Sequence, residues 1–190
     1  MRVLGLLCTG LMLLGSVMLN SARAAPPAPL SPWLKAASQH GLEPLDLYAI
    51  ALQESRRYRP DGQLRPWPWT LHTPSEGGLY FETFEAAAAK LQALQAAGVR
   101  NIDVGLLQVN VGWHSHRVSD AVDLLDPVRN IEVGAQILGE LLERHGGDLR
   151  QAFAHYHNSR AELGEPYAAA VLAIVMQLRR IDDFTRALTD

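Results

Sequence analysis

The sequence has almost no sulfur chemistry, no excess of positive charge and few segments patterned as strands. Its single cysteine is Cys8, inside an N-terminal apolar run. The chain beyond that run therefore has no thiol nucleophile, no disulfide and no cysteine-ligated metal. Lys and Arg number 17 against 20 Asp and Glu, a formal net charge of −3. Without a basic stripe to follow a polyanion, nucleic acid is not expected as a partner. No internal repeat is present.

What is present begins with a leader. Met1 and Arg2 precede an apolar run from Val3 to Leu19, and Ala22-Arg23-Ala24 places small residues around a signal-peptidase cut before Ala25. Residues 1–24 are read as a cleaved secretory signal, which sends the protein to the periplasm. The alternative is a retained membrane anchor, although the glycines of the run and the polar Asn20 shorten its useful part. A lipoprotein role for Cys8 would need small residues before it, where Leu6 and Leu7 stand. Residues 25–30 (Ala-Pro-Pro-Ala-Pro-Leu) form an extended, proline-rich spacer. Residues 31–190 are long enough for one domain with a single core.

Helix signals dominate that domain. Ser31-Pro32 marks an N-cap and first helical position, and Gly41 a left-handed terminator. Pro44 opens a second helix with Leu45, Leu47, Tyr48, Ile50, Ala51 and Leu52 on nearly every side, the pattern of a helix buried in a core; it ends at Glu54-Ser55-Arg56-Arg57. From Tyr58 to Phe81, prolines, glycines and the aromatics Trp67, Trp69, Tyr80 and Phe81 predict a loop carrying a small β-hairpin, the only β-structure expected. A helix over Thr83–Ala97 closed by Gly98 and a short helical segment around Val104–Val111 follow. Asp126-Pro127 opens a helix closed by Gly146-Gly147, Asp148 caps the next, and a last helix runs from Pro166 toward Leu188.

Three segments carry candidate chemistry. Glu54 lies three, four and seven residues after Ala51, Ile50 and Leu47, so it falls on the apolar stripe of the buried helix near its carboxyl end. Desolvation and the negative end of the helix dipole both raise a carboxyl pKa there, as a general acid near neutral pH requires. The plainer reading is a helix-end glutamate paired with Arg56, Arg57 or solvent. In Asp103-Val104-Gly105-Leu106-Leu107-Gln108-Val109-Asn110, Gly105 permits close backbone approach, and the amides of Gln108 and Asn110 suit acetamido and hydroxyl groups. His155-Tyr156-His157-Asn158-Ser159 gathers hydrogen-bonding side chains at a helix end.

In this order and spacing, Glu54-Ser55, Gly105-Leu106-Leu107-Gln108-Val109 and His155-Tyr156-His157-Asn158-Ser159 resemble the motifs of the soluble lytic transglycosylases, glycoside hydrolase family 23. The resemblance runs roughly from Trp33 to Met176. It implies a mainly α, lysozyme-like single domain with a small β-hairpin insert between the catalytic helix and the Gly-Leu-Leu-Gln segment. It implies cleavage between N-acetylmuramic acid and N-acetylglucosamine in peptidoglycan glycan strands, leaving a 1,6-anhydromuramyl end. Glu54 would be acid and then base, and Tyr156 would position it. Ser55, Gln108, Asn110 and Asn158 would contact sugar, with no metal, no cofactor and no partner carboxylate. Trp67, Trp69 and Tyr80 of the insert are candidates to stack on sugar rings or to pack the hairpin onto the domain. The chain departs from the family pattern at Leu107, where methionine is usual, and at His157, where asparagine is usual.

Other readings remain open. His114-Ser115-His116 with His155-Tyr156-His157 suggests a zinc site, though without the usual carboxylate motif. A goose-type lysozyme shares the fold but delivers water. A non-catalytic peptidoglycan-binding protein would keep the cleft and lose turnover. The resemblance also points to an envelope-spanning secretion, conjugation or pilus complex as a partner.

Overall fold

In the computed structural model, residues 31–58 and 62–180 are described. The leader, the proline-rich spacer and the end of the expected last helix toward Leu188 lie outside the described residues. The centre of the fold is α2 (Pro44–Ser55), where Leu47, Ala49, Ile50 and Ala51 have no exposed surface. A helix apolar on all sides must be surrounded. Around it lie α1 (Pro32–Gln39), α5 (Pro127–Arg144) and α7 (Ala161–Arg179), with α6 (Leu149–His157) packed between α5 and α7.

Most helix ends follow local chemistry. Gly41 adopts a left-handed φ of 66°, and the Leu42 N–H returns to the Ala37 carbonyl at 3.0 Å, closing α1. Ser31 stands at the N-cap position without a side-chain capping bond; Pro32 alone supplies the start. Thr83, Asp126 and Asp148 each accept a backbone N–H as the N-caps of α3 (Phe84–Ala96), α5 and α6.

Two expectations are corrected. The last helix begins at Ala161, not at Pro166, and carries that proline inside it. Gly164 explains how: a Cβ there would strike the Ala154 and Asn158 carbonyls, so its absence lets the first turns of α7 lie directly on α6. This tertiary packing outweighs the backbone hydrogen bond that Pro166 removes. The second correction concerns the segment Val104–Val111, expected to be helical. It forms β5 (Asp103–Val104) and β6 (Val109–Asn110), followed by the short α4 (Val111–His114).

The hairpin is accordingly not the only β-structure. β1 (Arg56–Tyr58) pairs with β2 (Leu64–Pro66), while β3 (Thr70–Thr73) and β4 (Gly77–Tyr80) join β5 and β6 in an antiparallel sheet of order β4-β3-β5-β6. Leu71 pairs with Val104 and His72 with Asp103; Val104 then pairs with Val109. The chain reverses because Gly105 (φ 83°) and Gln108 (φ 45°) are both left-handed, which a helix does not tolerate. Among the described residues no helix is long and apolar enough to cross a membrane.

One core residue is out of place electrically. Asp46, on α2, is 3% exposed and its Oδ1 has no hydrogen-bond partner among the described residues. Burial raises its pKa to about 6, against the opposing pull of a Glu43 backbone bond and the Arg179 charge. Its folded-state pKa exceeds the unfolded value, so the penalty is absent below about pH 4 and grows as pH rises through about 6. Asp46→Asn should therefore raise stability by about 1–3 kcal/mol at pH 8 and leave it unchanged at pH 4, measured by urea unfolding at both values.

Candidate active site

The sheet and the ends of α5 and α6 enclose a cleft of about 810 Å³. Glu54, the penultimate residue of α2, reaches it from below. Burial raises the Glu54 pKa to about 7, the Asp103 charge pushes in the same direction, and the Tyr167 hydroxyl opposes both. No Lys, Arg or His forms an ion pair with it among the described residues. A carboxyl half-protonated near neutrality, with open space before it, is able to give and to take a proton.

The turn between β5 and β6 forms the floor beside Glu54, and side chains from three helices hold it. Ser55 Oγ donates to the Leu106 carbonyl at 2.7 Å, and the Tyr156 hydroxyl donates to the Leu107 carbonyl at 2.9 Å. Asn130, 1% exposed, accepts from the Leu107 N–H at 2.8 Å and donates to the Val104 and Leu124 carbonyls at 2.8 and 2.9 Å. Gly105 is required there, because a Cβ would overlap the Asn130 side chain and the Leu124 carbonyl. Gly134 of α5 is required in the same way by the Leu107 side chain, which fills the space of its missing Cβ.

The structure divides the residues named from sequence. Glu54, Tyr80, Gln108, Asn110, Tyr156 and Asn158 line the cleft. The Gln108 side-chain N–H groups are engaged by the Gly105 and Thr70 carbonyls at 2.9 and 3.3 Å, leaving its amide oxygen for a ligand. Asn110 is occupied on both sides: its Nδ2 donates to Asn101 and Asp103, and its Oδ1 accepts from the Trp113 N–H. Asn158 Oδ1 accepts from the Arg160 N–H at 3.0 Å. Ser55 is fully buried and braces the turn. Trp67 and Trp69 lie outside the cleft wall; their rings meet edge to face at 5.6 Å, Trp67 Nε1 donates to the Phe81 carbonyl, and the Arg57 guanidinium sits 5.0 Å above Trp67.

Three residues enter that sequence reading did not single out. Tyr167, 7% exposed on α7, lies beside Glu54; the pair stops short of full hydrogen-bond geometry, and the hydroxyl has no other partner among the described residues. Its signal was its place on the stripe with Val171 and Val175, which buries a hydroxyl that must be answered. Asp103 faces the cleft, with Oδ1 accepting from Asn110 at 2.7 Å and Oδ2 3.2 Å from His72 Nδ1. Its charge also raises the pKa of Tyr156 and Tyr167's neighbour Glu54. Trp113, on α4, is 79% exposed at the rim.

The histidines do not converge. His155 pairs with His145 at 3.0 Å, His157 stacks on Tyr167, and the rings of His114 and His116 stand 6.3 Å apart. Among the described residues no group of three or more His, Cys, Asp or Glu is arranged to hold a metal ion.

The chain is thus a mainly helical domain with a small sheet and a buried glutamate of raised pKa in a polar cleft. Residues 82–170 match the family model described as Transglycosylase SLT domain. The match spans just under half of the chain and includes Asp103, Gln108, Tyr156 and Tyr167, while Glu54 precedes it. It supports a transglycosylase-type activity on peptidoglycan. No curated protein and no solved structure matches the chain.

The bracing of the turn is directly measurable. Asn130→Ala strands the Leu107 N–H and two carbonyls in the core and should cost about 3 kcal/mol. Urea denaturation of the variant against the native protein measures the loss.

Proposed function

We propose that the protein is a lytic transglycosylase that cleaves the β-1,4 bond between N-acetylmuramic acid and N-acetylglucosamine in peptidoglycan. The observation that carries this reading is the Glu54 carboxyl, set in an open polar cleft with no ion-pair partner among the described residues, where burial raises its pKa to about 7. Glu54 donates its proton to the glycosidic oxygen as the bond from C1 breaks. The muramyl C6 hydroxyl then forms the new bond to C1, and its proton passes to the Glu54 carboxylate, which restores the acid. The products are an N-acetylglucosamine end and a 1,6-anhydromuramyl end, and no water is consumed.

Around this step, the Gln108 oxygen, Asn158 and Tyr80 are placed on the wall where sugar groups would lie. The rim indole of Trp113 offers a face for ring stacking. Tyr156 acts on the site through the turn, and Tyr167 supplies the hydroxyl nearest the acid. The expected export signal would place this activity in the periplasm, in local wall opening for an envelope-spanning secretion, conjugation or pilus system.

One observation favours a second reading, hydrolysis of the lysozyme kind. Besides Glu140, which Arg117 holds, the cleft has a further carboxylate in Asp103, the kind of group that standard glycosidases add to their acid. The two readings differ by one water in product mass. Purified sacculi incubated with the native protein should release anhydromuramyl muropeptides, identified by mass spectrometry, and Glu54→Gln should lower the yield at least about 100-fold. Reducing-end products would establish hydrolysis instead, and bound sacculi without any product would leave a binding protein.

The pH dependence follows from the same carboxyl. The first step needs protonated Glu54, so kcat/KM for soluble glycan strands should fall about tenfold per pH unit above about pH 7. A rate that stays level to pH 9 would remove Glu54 as the acid.

A further inference from the structure

His157 stands at the edge of the cleft in contact with a residue that adjoins Glu54. It is the last residue of α6 and open to the cleft, and its imidazole lies flat on the Tyr167 ring, with centroids 4.6 Å apart and planes 5° from parallel. The Tyr167 hydroxyl at the far end of that ring is the one beside Glu54. Besides its incomplete contact with Glu54, the hydroxyl has no hydrogen-bond partner among the described residues. The polar end of the ring has only that contact, and the stacked imidazole covers its face. The contact is set by the backbone: Gly164 lets α7 rest on the Ala154 and Asn158 carbonyls, which fixes Tyr167 opposite the last turn of α6.

We propose that His157 is a positioning residue whose stacked imidazole holds the Tyr167 hydroxyl in place beside Glu54, and so governs how readily Glu54 releases its proton. The chain of contact is His157 to Tyr167 to Glu54. Asparagine has no ring to cover the tyrosine, whereas phenylalanine keeps a flat face without imidazole's hydrogen-bonding groups. Partial burial holds the His157 pKa below its ordinary value, so at neutral pH the imidazole acts by shape and not by charge. Asp103, whose charge raises the pKa of both His157 and Glu54, and Tyr156 also face the pair, so His157→Phe separates loss of the imidazole's polar groups from loss of its flat face.

The test does not need turnover. The Glu54 carboxyl is titrated by carbon-13 NMR in the purified protein and in Tyr167→Phe, His157→Asn, His157→Phe and the His157→Asn/Tyr167→Phe double variant. Loss of the tyrosine hydroxyl removes the influence that lowers the Glu54 pKa, so Tyr167→Phe should raise its midpoint by about 0.5 pH unit. His157→Asn should give a rise of similar size and His157→Phe none, with the double variant matching Tyr167→Phe alone because the two residues act as one unit. A His157→Asn midpoint equal to the native one, or shifts that add in the double variant, would overturn the proposal.

The kinetic form of the inference rests on the transglycosylase reading. With glycan strands, the alkaline limb of kcat/KM for His157→Asn should move up by about 0.5 pH unit, in step with the Glu54 titration, at unchanged KM. A rise in KM alone would make His157 a substrate contact and overturn the positioning role. Absence of turnover in the native protein would remove the reading of function, while the titration would still decide the contact between His157, Tyr167 and Glu54.

Discussion

The turn between β5 and β6 is where the helical and β parts of this protein are joined, and it is joined by side chains. Ser55 from α2, Asn130 from α5 and Tyr156 from α6 each bond to its backbone. Buried peptide groups left without partners are costly, so this arrangement requires the three helices to approach one another at fixed distances. The cleft is the space that remains between the turn and the helix ends. Its shape is a by-product of how the polar backbone is satisfied beneath it.

The same bracing sets the electrostatics. Glu54 is adjacent in sequence to Ser55, so the hydroxyl that anchors the turn also fixes where the carboxyl emerges. The site has no cation paired with Glu54 among the described residues, and it has a second negative group in Asp103. Burial and like charge raise the pKa together, and the Tyr167 hydroxyl keeps the rise within the range where the proton remains transferable. Asp103 is itself held by Asn110 and His72, so its charge has a defined place on the opposite wall.

The helical frame was legible because it is written locally. Pro44, the apolar residues of α2, the caps Thr83, Asp126 and Asp148, and the terminators Gly41 and Gly98 each act within a turn or two of the chain. Glu54 was legible for the same reason, since spacing alone puts it on a buried stripe. The strands β5 and β6 were not. They are two residues each, and their pairing depends on β3, some thirty residues earlier in sequence. Tyr167 was obscured because a proline was read as a helix start, when packing on α6 carries the helix through it. Ser55 and Asn110 were recognised as polar residues near the site, but a one-dimensional pattern does not say whether such a group faces sugar or backbone.

Leu107 and Gly134 show what this density of bracing implies for substitution. The leucine occupies the volume that a side chain at 134 would need, and the Leu107 backbone is held on both its N–H and its carbonyl. Neither residue is free to vary alone: a larger residue at 134 requires a slimmer or more pliable one at 107, and the backbone between them has no slack to absorb the difference. The two positions are therefore constrained as a pair, and a substitution at either is tolerated only with a compensating change in a segment some distance along the chain.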